Sequence, residues 1–273
     1  MLTRRTLLAS LAAAGFAPAQ QSNTLHLRAR SRREGIPFER ALLWKPAETA
    51  IIVCDMWNDH YCKSSARRLE AMLPRMNRTL NEARGLGVHI IHAPSGTMDQ
   101  YEGTPQRKRM KSVKPSTPPV PIASWCYLDL KDESALPIDD ATEPCDDDRV
   151  GARVRVFNRQ HPGLEIKEPD GVSDSGPEIY SFIIQQGIKN AAMMGVHTNM
   201  CVLGRPFGIR QLKRLGMNVV LARDLTDAMY DPRQAPWVSH ERGTSLIIEH
   251  VEKFWCPTVM GDDLTRTTKG AAA

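Results

Sequence analysis

The sequence contains no Cys-x-x-Cys pair and no Cys/His cluster at zinc spacing, although it holds six cysteines. A structural zinc site of the finger or ribbon type is therefore excluded. Aromatic residues make up only 6% of the chain. None is interleaved with its two basic clusters, Arg28–Arg33 and Arg107–Lys114. Both clusters read as solvated loop or tail, and nucleic-acid binding is not expected. Beyond the first twenty residues no apolar run is long enough to cross a bilayer. There is no internal repeat and no low-complexity tract apart from one Pro-rich stretch.

What is present is a chain of 273 residues, 41% hydrophobic and 25% charged, with a net charge of +5. That length supports one substantial core, as one large domain or one domain with an insertion. The first residues, "MLTRRTLLASLAAAGFAPAQ", combine Arg4-Arg5, an apolar run to Phe16 and the small-x-small pattern Ala17-Pro18-Ala19. They read as a signal peptide over 1–19 with a twin-arginine character. No lipobox cysteine follows. The expectation is an exported protein, periplasmic or extracellular, free of the membrane once cleaved. Export permits disulfides. Cys126 and Cys145 share one irregular segment and are the expected pair, whereas Cys54 and Cys256 lie in apolar runs and read as core.

After an extension over 20–48, "TAIIVCDM" is a continuous β-branched run suited to a strand covered on both faces. An amphipathic helix follows, with Leu69, Met72, Leu73, Met76 and Leu80 on one face. "VHIIHAP" is the next strand, completing a β-α-β opening. Regular patterning then stops from Ser95 to Pro162, read as an ordered insertion or lid near the active face. Alternation resumes with "LEIKE", a helix opened by Ser175, "NAAMMGV", a helix over Asn199–Leu215, "MNVVLARD", a further helix and "WCPTVM". The pattern predicts a doubly wound α/β domain over 49–260. Its sheet has six mostly parallel strands, helices on both faces and a long insertion (95–162) after the second strand. A tail over 261–273 follows.

In such sheets ligands gather at the carboxyl ends of the strands. Asp55, His92, Lys167, Cys201 and Asp224 fall there. A cysteine after a βα turn is more often a packing residue than a nucleophile. Three features favour the nucleophile: a helix N-terminus and a nearby ammonium both stabilise thiolate, and a carboxylate can take its proton.

"IIVCDMWND" resembles the "DMQNDF" motif of the isochorismatase-like cysteine hydrolases, and "GVHTNMCV" resembles their nucleophile motif. Lys167 precedes Cys201 by 201 − 167 = 34 residues, similar to small members of that family. The resemblance covers most of Thr49–Val259 but not the insertion. It implies Asp55, Lys167 and Cys201 as the catalytic triad. It also implies a non-proline cis peptide between Val196 and His197, with an oxyanion hole from the backbone N–H groups of His197 and Cys201. Lys189 and Lys114 compete with Lys167, but the first precedes a strand and the second lies in the insertion.

The departures are informative. Histidine replaces the usual small residue at His197; its side chain lines the pocket, or only its backbone is used. "WNDHYC" adds Trp57 and His60 near the acid, where they shape the substrate pocket or simply pack. Together with Trp125 these residues are the candidate substrate contacts. The family's Asp-x-His-x-x-His metal pattern is absent from "HAPSGTMDQYEG", so no metal or other cofactor is expected. The expected activity is hydrolysis of a C–N bond in a small amide, ureido or carbamoyl compound through a thioester, with a small-molecule substrate as the partner. The apolar helices are compatible with a homo-oligomer. Two rivals stand beside it: a non-covalent isochorismatase-type hydrolase, against which the cysteine argues, and a catalytically silent binding protein on the same scaffold.

Overall fold

The computed structural model describes residues 23–149 and 152–268; the signal-like segment 1–19 lies outside the described residues. β3 (Thr49–Cys54) is buried along its whole length, as its run of Ala, Ile and Val requires. Its side chains alternate between two cores. Ala50, Ile52 and Cys54 face one, Ile51 and Val53 the other, the two-residue period of a strand. Helix α1 (Lys63–Gly85) covers the second core with Leu69, Leu73, Met76 and Leu80. β4 (His89–Ala93) then pairs parallel to β3.

The chain next crosses the insertion, which contains α2 (Pro105–Lys111), and returns as β5 (Gly171–Val172) beside β4. Helix α3 (Gly176–Gln185) starts at Ser175, whose hydroxyl accepts the Glu178 N–H, the N-cap read from the sequence. β6 (Asn190–Val196) then pairs with β3 on the side opposite β4. β7 (Asn218–Asp227), α6 (His240–Phe254) and β8 (Thr258–Val259) extend the sheet outward. The strand order reverses between β3 and β6, and that switch point is where such sheets open a crevice.

The sheet has nine strands rather than the six expected. Residues given above as an extension form a hairpin of β1 (Thr24–Arg33) and β2 (Ile36–Trp44), antiparallel at one edge, and β9 (Thr267–Thr268) joins β1. The turn residues Glu34 and Gly35 both have positive φ, as a tight two-residue hairpin turn demands. The first basic cluster is thus a strand face, not a loop. Leu25, Leu27 and Ala29 point into the core, while Arg28, Arg30 and Arg32 pair with Asp263 and Glu252. The second cluster is also partly buried: Arg107 is only 7% exposed and pairs with Glu178 at 2.5 Å.

Two further expectations are corrected. "LEIKE" is no strand. Asp170 accepts the Lys167 N–H at 2.7 Å and is held by Arg84, so a side chain closes a local turn in place of a ladder. The helix expected over 199–215 is broken into α4 (Cys201–Gly204) and α5 (Ile209–Arg214). Pro206 disfavours helical backbone in the residue before it, and Arg205 is extended, with ψ 156°.

The insertion is irregular but tied down. Cys126 N–H donates to the Gly204 carbonyl at 2.7 Å, and Gln211 accepts from Ala123 N–H at 2.9 Å. Glu133, buried, takes hydrogen bonds from Arg210, His250 and Trp255. Burial alone would raise its pKa, but these donors pull it down to about 2. A disulfide joins Cys62 to Cys145 across 83 residues. Cys145 therefore does not pair with Cys126, whose sulfur lies buried against Gln211. Among the described residues no helix is long and apolar enough to cross a membrane.

Glu133→Ala strands a buried arginine and is expected to cost about 3–5 kcal/mol, read as a lowered urea midpoint. A midpoint within error of wild type would contradict this clamp. Alkylation of the denatured, unreduced protein followed by peptide mapping should label Cys54, Cys126, Cys201 and Cys256, leaving Cys62 and Cys145 linked.

Candidate active site

The switch point brings the residue after β3 against the turn after β6. Asp55 follows β3, is fully buried and adopts a positive φ of 47°. A buried carboxylate needs donors, and two are present. Ser95 N–H, just beyond β4, donates to Oδ1 at 2.7 Å, and Arg205 Nε donates to Oδ2 at 2.9 Å. Arg205 is thus the cation of the site. It reaches Asp55 because the chain leaves α4 in extended form at Pro206.

Lys167 is placed elsewhere. It sits in the turn before β5, half exposed, with its ammonium 3.1 Å from Glu165. The structure does not bring it to Asp55, because the strand that was to carry it is absent. Sequence reasoning missed Arg205, although a signal was available. A proline inside a predicted helix marks a break, and the residue before it turns outward.

The turn from β6 to Cys201 is fixed residue by residue. Gly195 has φ 107°, and a Cβ there would lie 2.0 Å from the Cys54 carbonyl oxygen, so only glycine lets β6 approach β3 at this point. The Val196–His197 peptide is cis. Thr198 N–H donates to the Asp227 carbonyl at 2.9 Å and its hydroxyl meets that of Thr226. Asn199 brackets Met229, accepting from its N–H at 2.8 Å and donating to its carbonyl at 3.1 Å. "HTN" is therefore a set of anchors that delivers Cys201 to the start of α4.

Cys201 is 8% exposed. Burial pushes its pKa up strongly, and the Asp55 carboxylate, to which it hydrogen-bonds, pushes it further. Arg205 and the His197 N–H act in the opposite direction. The resting group is therefore a thiol beside a proton acceptor, not the thiolate anticipated from the helix terminus. One backbone N–H already points at the sulfur.

His197 contributes more than backbone. Its ring is buried, with Nε2 2.5 Å from the Ser65 hydroxyl on α1, and burial lowers its pKa to about 3. His60 lies edge-on to it, ring centres 5.0 Å apart, so His60 is part of this packing and not a surface group. Behind them Asp227 joins Arg68 to His240. Trp57 stacks on Phe157 and donates from Nε1 to the Ser95 carbonyl at 3.1 Å; it supports the segment that holds Asp55. Trp125, from the insertion, packs flush on Gly204, where a Cβ would come within 2.6 Å of the ring. The Arg205 guanidinium stands 5.4 Å from its centre. A cleft of about 400 Å³ opens beside Ser95 and Arg205.

Fold, switch point and the Asp55–Cys201 pair define the class: the chain belongs to the isochorismatase-like superfamily. RutB of Rhizobium rhizogenes, a ureidoacrylate amidohydrolase, is 23% identical over 285 residues, 97% of this chain and 98% of that protein. Among solved structures, a cysteine hydrolase from Pseudomonas syringae pv. phaseolicola shares the fold with a TM-score of 0.50 at 15% identity, over 81% of this chain and 92% of that one. No family model matches the chain.

Arg205→Ala should reduce turnover roughly a hundredfold or more, as loss of a positioned charge does. Lys167→Ala, removing an exposed pair, should stay within about twofold. The opposite ranking in steady-state kinetics would refute the assignment of the cation.

His197 gives a pH signature. Folded, it takes up a proton only near pH 3; unfolded, it does so near about 6.5. The unfolded state binds more protons in between, so its contribution to stability is present above about pH 6.5 and falls away toward pH 3. His240 has the opposite sign, because hydrogen bonding to Asp227 overcomes burial and raises its pKa. Urea unfolding between pH 4 and 7 should show a shallower acid loss in His197→Gln than in wild type; equal slopes would contradict burial of a neutral ring.

Proposed function

We propose that the chain is an exported cysteine hydrolase that cleaves a C–N bond of a small amide, ureido or carbamoyl compound through a thioester. The observation that carries this reading is the Cys201 thiol hydrogen-bonded to Asp55 with the His197 N–H at its sulfur.

The geometry supports the following course. Sulfur attacks the carbonyl carbon as its proton passes to Asp55. The developing oxyanion is met by the N–H groups of His197 and Cys201, held by the anchored turn. Asp55 then gives the proton to the departing nitrogen, the C–N bond breaks and an acyl or carbamoyl thioester remains on Cys201. Water, deprotonated by Asp55, attacks the thioester. The acid is released and the thiol regains its proton. Arg205 stabilises the carboxylate whenever Asp55 is unprotonated. Closeness to an amidohydrolase along nearly the whole chain supports the bond type. The signal-like N-terminus supports export, and the Cys62–Cys145 bond suits an oxidising compartment.

A panel of amides, ureido acids and carbamoyl compounds, assayed for ammonia release, tests the reading. Cys201→Ala should lose at least about a thousandfold in rate with the fold intact by circular dichroism. Full turnover by that variant would sink the covalent route. For export, the secreted form should begin at Gln20; a mature chain retaining Arg4-Arg5 would contradict it.

A further inference from the structure

The cleft beside Asp55 is lined by both groups that hold the carboxylate, Ser95 and Arg205, by residues 122–124 of the insertion and by residues 174–177 at the start of α3. Asp55 hands its proton to the departing nitrogen, so a leaving group passes into this space. About 400 Å³ is far more than ammonia needs, since a water-sized molecule occupies roughly 30 Å³. The leaving amine must therefore carry a substantial group.

The polar atoms around the cleft say which kind. Arg205 donates to Asp55 through Nε alone. Its two Nη groups have no hydrogen-bond partner among the described residues, and the side chain is 26% exposed. Trp125 backs the guanidinium. Ser95 is only 6% exposed, yet its hydroxyl has no partner among the described residues. A buried hydroxyl left unpaired is costly, so it marks a place where a ligand atom belongs. The N-terminus of α3 adds the positive end of a helix. The opposing charge is Asp174, one of whose oxygens is occupied by the Gly96 N–H at 2.7 Å.

We infer that this cleft binds a carboxylate carried by the leaving amine, held end-on by the two Nη groups of Arg205 and by the Ser95 hydroxyl, which makes N-carbamoyl (ureido) acids the preferred substrates over neutral amides. The inference rests on the C–N hydrolase reading above. Sulfur attacks the ureido carbonyl carbon and forms the C–S bond. The bond from that carbon to the substituted nitrogen breaks. This nitrogen takes the proton held by Asp55 and leaves as a primary amine bearing the carboxylate. The unsubstituted amino group stays on the carbon, as a carbamoyl thioester on Cys201. Water converts that thioester to carbamate and restores the thiol. Arg205 then serves twice, as partner of Asp55 and as reader of the substrate's acid.

Binding to the full-length Cys201→Ala protein, measured by titration calorimetry, tests this without turnover. The probes are 3-ureidopropionate and its neutral amide, 3-ureidopropionamide. The acid should bind at least about tenfold more tightly, the scale of a charge-assisted hydrogen bond. Ser95→Ala in that background should cut the gap to about threefold, and Asp174→Asn, which removes the like charge, should widen it. Equal affinities, or a gap that neither substitution moves, would overturn the inference. Product release by wild type separates the two readings. Hydrolysis of the amide as readily as the acid removes the carboxylate preference and keeps the hydrolase. Selective binding of the acid with no hydrolysis of any panel member removes the hydrolase reading and keeps the site.

Discussion

The ion pair between Asp55 and Arg205 is the interaction on which the rest of the site depends. β3 is apolar and covered on both faces, and it carries a carboxylate into the interior at its end. Such a charge is tolerated only with donors in place. One is the backbone of Ser95, positioned by Trp57. The other is Arg205, available because Pro206 ends α4 and frees the chain to extend. Trp125 then backs the guanidinium, and Trp125 itself belongs to a segment held by Gln211, Arg210 and Glu133. The irregular insertion is thus tied, through a short series of contacts, to one buried negative charge.

The same charge decides the state of the nucleophile. A thiol at a helix start is often pictured as ionised, but here burial and the adjacent carboxylate outweigh the guanidinium and the N–H of His197. A proton shared between sulfur and carboxylate is useful chemistry. It leaves with the thiol's attack and is already on the group that must protonate the departing nitrogen. The rigid turn of Thr198 and Asn199 keeps these atoms in register, and the Ser65–His197 contact ties that turn to α1.

Much of this was legible in the sequence, and the rest was hidden for identifiable reasons. Asp55 and Cys201 could be found because each ends or follows a continuous apolar run, and hydrophobic patterning places strand ends well. Lys167 was misplaced because "LEIKE" alternates like a strand, while the carboxylate that bends it into a turn, Asp170, takes its partner Arg84 from α1. Arg205 was hidden inside what reads as one helix. β1 escaped notice because its arginines mask a plain two-residue alternation of Leu25, Leu27 and Ala29. The insertion has no periodicity at all. Its shape comes from single side-chain contacts to distant elements and from the Cys62–Cys145 link, and local pattern carries neither.

The most direct measurement is the pH dependence of Cys201 alkylation by iodoacetamide in wild type, Asp55→Asn, Arg205→Gln and Lys167→Gln. If Asp55 and Arg205 set the proton affinity of the thiol, the profile moves to lower pH in Asp55→Asn, to higher pH in Arg205→Gln and stays in place in Lys167→Gln. A profile that shifts with Lys167→Gln and ignores Arg205→Gln would contradict the account.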